Sequence, residues 1–217
     1  MAVALVVAAG RGERLGARGP KALVELHGRP MLEWSVEALR SVPEITAIIV
    51  ALPAGAGAPA GTTGVTGGEV RSASVRAAFA AAPVDGDPVL IHDAARPLVS
   101  RKLIETVLAA LDGVDCAIAA TTITDTIKEA TAGLVVTRTV DRSRLWSVQT
   151  PQAFTRAALV RALALPPAMV DAATDEAALV ERCGGMVRIV PSAPENLKVT
   201  TPLDLHVADL LLADRVD

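Results

Sequence analysis

Tyrosine is absent from this 217-residue chain, and its other aromatics are two phenylalanines and two tryptophans. The core must then be built from Ala, Val, Leu and Ile, which make up most of a 51% hydrophobic content. Cysteine is scarce: Cys116 and Cys183 stand apart, with no Cys-x-x-Cys and no histidine at ligand spacing. That pattern suggests neither a zinc site nor a disulfide framework and reads as two buried structural thiols. No run approaches the roughly 18 uninterrupted apolar residues of a membrane span. The first apolar run is too short for a leader peptide, so none is expected. Net charge is only −3, which argues against a broad nucleic-acid-binding face. The expectation is a soluble cytoplasmic protein with neither nucleic acid nor membrane as partner.

What is present is alternation. Short β-rich runs at 3–8, 47–51, 89–92, 117–121 and 187–190 alternate with Ala-rich amphipathic stretches. The helical stretches fall at 31–40, 72–82, 101–111, 156–163, 175–181 and 203–212. Ser100, Thr174 and Thr201 stand where helix caps belong. This is the pattern of an α/β fold, a mostly parallel sheet flanked by helices. A Gly/Ala/Pro-rich stretch at 53–62 reads as a surface loop, and a weak strand surrounds 64–66. A single domain over 1–217 is expected, with no room for another after Leu212.

Residues 121–146 break the alternation. Two Thr/Val/Ile-rich pieces, 122–128 and 134–140, flank a turn at 131–133 with no helix between them. This predicts a protruding β-hairpin arm, whose edges need either the chain's own domain or a second subunit. A homodimer is the expectation taken forward.

Ligands of open α/β sheets sit beyond the carboxyl ends of the strands. The first strand breaks into Ala8-Ala9-Gly10-Arg11-Gly12-Glu13-Arg14-Leu15-Gly16 and reaches Lys21. Glycines there let backbone N–H groups approach phosphate oxygens, and Arg14 and Lys21 add positive charge. The G-x-G-x-x-x-G spacing is not the G-x-G-x-x-G of dinucleotide folds, and no Walker-type Lys-Ser or Lys-Thr follows a glycine. A plain strand-to-helix turn with solvated charges has the same composition. After the weak strand come Gly67, Gly68 and Ser74, read either as a ligand loop or as a capping turn. His92-Asp93-Ala94-Ala95-Arg96-Pro97 follows the third strong run. Asp93 can order a ligand hydroxyl or a metal-bound water, with Arg96 locking it by a bidentate pair, unless the two form a purely structural ion pair. His92 has no Ser or Cys nucleophile beside it and reads as a hydrogen-bonded core residue. Lys128 and Arg142 fall on the arm, and Thr150-Pro151-Gln152 reads as a rigid turn beyond it. Lys198 sits among apolar neighbours, where a ligand phosphate is a natural partner.

The inventory is rich in Arg, Lys and hydroxyls, with no nucleophile, carboxylate dyad or Cys/His cluster. That suits phosphoryl or nucleotidyl transfer, in which positioning and charge stabilisation do the work.

Taken together, the motifs resemble the 2-C-methyl-D-erythritol 4-phosphate cytidylyltransferase family. They are the glycine loop with Lys21, Gly67-Gly68-x-x-Arg71-x-x-Ser74-Val75, and the His92–Pro97 run; then Asp125-Thr126-Ile127-Lys128, Thr139-Val140-Asp141-Arg142 and Thr150-Pro151-Gln152; finally Thr174-Asp175-Glu176 and Asn196-Leu197-Lys198-Val199-Thr200. They span the chain from residue 3 to about 205 in the family's order.

The resemblance implies a single Rossmann-like nucleotidyltransferase domain. The implied reaction converts CTP and 2-C-methyl-D-erythritol 4-phosphate to the CDP-linked alcohol and pyrophosphate, in non-mevalonate isoprenoid synthesis. Arg14 and Lys21 would then stabilise the transition state. Backbone at Ala8, Ala9, Gly10, Gly12, Gly67 and Gly68, with Ser74, would hold CTP. Asp93, supported by Arg96, would contact the acceptor's hydroxyls, while Arg142 and Lys198 grip its phosphate. Thr126, Thr150 and Thr174 would line the same pocket. The arm would swap between subunits of a homodimer, placing Thr126 and Arg142 in the neighbour's site. Mg2+ is expected on the CTP phosphates, with few or no direct protein ligands. Ala22 follows Lys21 where the family often has Gln, and the 16–20 stretch is short and glycine-rich. The nearest rival is the ribitol-5-phosphate cytidylyltransferase family; a nucleotide-binding module without turnover is the rival of another class.

Overall fold

The computed structural model describes residues 1–10, 12, 15 and 19–216. The first strand, β1 (Ala2–Val7), is apolar at every position and buried along almost its whole length. A strand with both faces apolar belongs inside a parallel sheet covered on both sides. Here β1 lies between β4 (Ile45–Leu52) and β6 (Val89–Asp93), parallel to each, with Val3 opposite Ala47 and Val89.

Two minor strands, β2 (Glu25–Leu26) and β3 (Arg29–Pro30), form a separate antiparallel pair. The main sheet adds β5 (Thr63–Thr66), β7 (Cys116–Thr122), β10 (Trp146–Phe154) and β11 (Val187–Pro191). Its order is β11-β7-β10-β6-β1-β4-β5. All neighbours are parallel except β10, which runs antiparallel to both β6 and β7. The rigid turn expected at Thr150-Pro151-Gln152 is strand instead. Those residues lie within β10, where the pairing with β7 is irregular between Val148 and Gln152.

Alternate residues of β1 explain the layers. Ala4 and Val6 face α1 (Met31–Arg40) and α3 (Arg101–Ala109), through Leu32, Val36, Ile104 and Val107. Val3 and Leu5 face the other way, toward α2 (Arg71–Ala80), α4 (Arg156–Leu163) and α6 (Glu176–Arg182). A short α5 (Pro167–Asp171), not foreseen in the sequence, packs near α2. The last helix, α7 (Pro202–Val216), extends past the expected 203–212 and covers Leu26 and Leu98 through Ala208 and Leu212. Phe154 apart, the largest fully buried side chains are aliphatic. Cys116 is buried as expected, while Cys183 is only partly so.

Ser100 caps α3 by accepting from the Leu103 N–H at 3.2 Å. Asp175, rather than Thr174, caps α6 through the Ala178 N–H at 3.0 Å. The arm is present: β8 (Ile127–Ala130) and β9 (Val136–Val140) form an antiparallel hairpin. It springs from the end of the β7–β10 ladder, where Thr122 faces Trp146. Leu134 and Val135, near its tip, are 88% and 65% exposed.

Candidate active site

Two cavities meet at the carboxyl ends of β1 and β6. The larger, about 500 Å³, is walled by the glycine loop, Lys21, Gly68, Ser74 and Thr200. The smaller, about 360 Å³, reaches Arg96, Thr150, Gln152 and Thr174. Arg71, Asp93 and Lys198 border both and form the wall between them.

The glycines build the larger cavity by close packing. Gly12 has φ +73°, and a Cβ there would stand 2.9 Å from the Lys21 Cβ. A Cβ on Gly67 would reach 2.5 Å from the Ala9 Cβ, and one on Gly68 would collide with the Ala73 Cβ. Gly10 is different: a Cβ there meets nothing within 4 Å, so its backbone lies bare to the cavity it lines. Ser74 braces the second glycine loop, its Oγ accepting from the Gly68 N–H at 3.1 Å. It is not the cap of α2, which starts after Val70 without a side-chain bond.

Asp93, at the end of β6, is the electrostatic centre. Its Oδ1 accepts from Arg71 Nε at 3.3 Å and its Oδ2 from Lys198 Nζ at 2.6 Å. Burial opposes its charge, but Arg71 and Lys198 outweigh burial and hold the carboxyl far below the usual range. The Asp93 N–H donates to Thr150 Oγ1 at 3.0 Å. Thr150 Oγ1 lies 3.1 Å from His92 Nδ1, and His92 Nε2 lies 3.3 Å from the Arg96 carbonyl oxygen. A carbonyl can only accept, so His92 carries its proton on Nε2 and takes the Thr150 hydroxyl at Nδ1. Full burial lowers the His92 pKa to about 4, which keeps the ring neutral.

Arg96 does not lock Asp93, contrary to the sequence reading. Its Nη1 donates to the Asn196 carbonyl oxygen at 2.7 Å, so it ties the 196–200 segment to the end of β6. That segment delivers Lys198.

A cavity with bare backbone and three amino or guanidinium groups (Lys21, Arg71 and Lys198), opening onto a second pocket across a carboxylate, can hold a polyanion beside a polyol. The sequence profile of the 2-C-methyl-D-erythritol 4-phosphate cytidylyltransferase family matches residues 2–214. The enzyme of that name from Synechococcus sp. WH7803 is 42% identical over 97% of this chain and 99% of its own. The one from Frankia casuarinae is 47% identical over 97% of this chain and 80% of its own. The crystal structure of the Thermus thermophilus enzyme superposes with a TM-score of 0.84 at 36% identity, covering 98% of this chain and 100% of that one. This chain belongs to that family.

For a cytidylyltransferase, the structure gathers most of the expected residues. Ala8, Ala9, Gly10, Gly12, Lys21, Gly68, Ser74, Asp93 and Lys198 line the larger cavity. Thr150, Thr174 and Arg96 line the smaller. Gly67 stands behind the wall, its N–H donating to the Leu52 carbonyl at 2.7 Å. Ala22 contributes only a methyl group where the family often has an amide. Thr126 and Arg142 line neither cavity: both are exposed on the arm, and Arg142 Nη1 donates to the Thr124 carbonyl. Arg14 lies outside the described residues.

Two residues of this cytidylyltransferase site were missed in the sequence. Arg71 links Asp93 to Glu176, which is 2% exposed and accepts from Arg71 Nη1. Both stood in quoted motifs, but nothing in the sequence joins positions 105 residues apart. Asp93, Glu176 and the Arg71 between them form one buried charge network.

Proposed function

We propose that this chain transfers the cytidylyl group of CTP to the phosphate of 2-C-methyl-D-erythritol 4-phosphate, as a cytoplasmic homodimer that takes neither nucleic acid nor membrane as partner. The observation that carries this reading is the shared wall of Arg71, Asp93 and Lys198 between a glycine-lined cavity and a hydroxyl-lined one. CTP occupies the larger cavity, with its triphosphate along Ala8, Ala9, Gly10 and Gly12 and its base toward Gly68 and Ser74. The acceptor lies across the wall, with hydroxyls on Asp93 and its phosphate drawn by Lys198.

An acceptor phosphate oxygen attacks the α-phosphorus as the bond to the β-phosphate bridging oxygen breaks. The electron pair leaves on pyrophosphate. Lys21 and Arg14 neutralise the charge that builds up on the oxygens around the α-phosphorus. The attacking phosphate is already ionised at neutral pH, so no general base is needed. His92 is accordingly buried and neutral, both ring nitrogens engaged.

No cluster of three His, Cys, Asp or Glu stands ready for a metal among the described residues. Single carboxylates, Glu69 and Asp93, border the larger cavity, and Asp93 is already answered by two cations. That donor set fits Mg2+ arriving on the triphosphate, where it would supply charge neutralisation. The exposed apolar tip at Leu134 and Val135 supports a dimer joined through the arm. In that dimer Thr126 and Arg142 complete the partner's acceptor pocket.

The test is pyrophosphate release from CTP and Mg2+ with 2-C-methyl-D-erythritol 4-phosphate, beside ribitol 5-phosphate and a no-acceptor control. Release with the methylerythritol substrate alone is expected. Release with ribitol 5-phosphate alone would move the chain to the rival family's reaction, and silence with both would leave a binding module.

A further inference from the structure

Glu176 is a buried carboxylate that borders neither cavity. Burying a charge is costly unless it is paired, and burial does push the Glu176 carboxyl up against the pull of Arg71. Its partner spans two carboxylates: Arg71 gives Nη1 to Glu176 and Nε to Asp93 Oδ1. Lys198 meets the other oxygen, Oδ2, at 2.6 Å. The two cations on Asp93 therefore differ in kind. Arg71 rises from α2 and is fixed at its far end by Glu176. Lys198 comes from the 196–200 segment, is 42% exposed, and borders both cavities.

We infer that Glu176 is a positioning residue for the acceptor: through Arg71 it holds Asp93 in place while Lys198 moves from Oδ2 to the acceptor's phosphate. Oδ2 is then free to accept from an acceptor hydroxyl, and Oδ1 never leaves Arg71. This role requires the Lys198–Asp93 pair to be exchanged when the acceptor binds. Without Glu176, Arg71 would be free to follow the incoming phosphate, and Asp93 would lose its fixed support as Lys198 leaves. The inference rests on the acceptor-side roles given to Asp93 and Lys198 under the proposed function.

Glu176→Gln keeps the shape and one hydrogen-bond acceptor while removing the charge. Initial rates are measured against each substrate with the other saturating. The expected result is a rise of about tenfold in KM for 2-C-methyl-D-erythritol 4-phosphate, the scale of one charge-assisted hydrogen bond lost to a substrate. KM for CTP is expected to stay within about twofold and kcat within about threefold. In an Asp93→Asn background the same change is expected to add less than about twofold, because its effect passes through Asp93. Equal rises in both KM values, no change, or a second full tenfold loss on Asp93→Asn would each overturn the inference. Should Glu176→Gln lose its far-ultraviolet circular dichroism, Glu176→Asp takes its place. Aspartate keeps the charge but is one methylene too short to hold Arg71, so the same KM split is expected, and its absence refutes the role. Silence of the wild-type enzyme with this acceptor would overturn the functional reading and the inference together. Normal wild-type turnover with an unsplit KM would overturn the inference alone.

Discussion

His92 sets a testable limit on the protein's tolerance of acid. It is fully buried, and its pKa falls from 6.5 to about 4, chiefly because burial penalises the imidazolium. Asp93 and the hydrogen bond to the Arg96 carbonyl pull that value up, while the charges of Arg96 and Lys198 push it down. The folded state thus holds this proton less tightly than the unfolded chain does. The stability contributed by neutral His92 is fully present above pH 6.5 and drains away as pH falls toward 4. Integrating the linkage between about pH 7.5 and 4.5 gives a loss of about 2–3 kcal/mol. Against a total of roughly 5–15 kcal/mol for a domain, such a loss is readily measured. The assay is urea unfolding at a series of pH values on the wild type and on His92→Gln. Glu176, whose carboxyl is raised by burial, works in the opposite sense near the acid end. The difference between the two proteins therefore carries the test. The variant starts less stable, having lost its bond to Thr150, but its curve is expected to be flatter by about 2–3 kcal/mol across that range. Parallel curves would refute the neutral, Nε2-protonated His92 derived from the hydrogen bonds.

Gly68→Ala must displace the Ala73 methyl, and is expected to raise KM for CTP by at least about tenfold or to destabilise the fold by about 1–3 kcal/mol; steady-state kinetics and thermal melts separate the two. Lys21→Ala is expected to lower kcat by about 10²–10³ with smaller changes in either KM, as measured by pyrophosphate release. Arg142→Ala is expected to raise KM for the acceptor and leave that for CTP unchanged. Removing residues 124–144 is expected to yield a monomer in sedimentation, with acceptor binding lost and CTP binding retained.

The parts of the fold visible in the sequence are those whose burial is apolar. The run of β1 and the stripe of α1 announce themselves because their buried positions are almost all hydrocarbon. β10 does not, since it crosses the middle of the sheet carrying Gln149, Thr150 and Gln152, all buried. Their polar groups are answered from afar: Asn196 Nδ2 donates to Gln149 Oε1 at 2.8 Å, and Gln152 Nε2 donates to Asp175 Oδ2 at 2.9 Å. A strand buried by reciprocal hydrogen bonds has no hydrophobic period to read. The same reason hid the Arg71–Glu176 pair, while the cavity's glycines stood out in the sequence, though their spacing alone fits a plain turn as well as a ligand loop. Arg96 was placed near its true position and given the wrong partner, because sequence proximity to Asp93 says nothing about where a long side chain points.

The root of the arm, where Thr122 faces Trp146, separates two regimes of evolutionary freedom. Outward from that rung the hairpin can lengthen, shorten or change its tip in paired steps, and the sheet registers nothing, because the ladder below is already closed. Inward from it, β10 reaches Thr150 within a few residues and is clamped between β6 and β7. One residue gained or lost there would turn every following side chain to the opposite face. Length variation among related chains should therefore collect at the tip around 131–135, beyond Thr126 and Arg142, and vanish below the rung, where the strand register fixes Thr150 and Gln152.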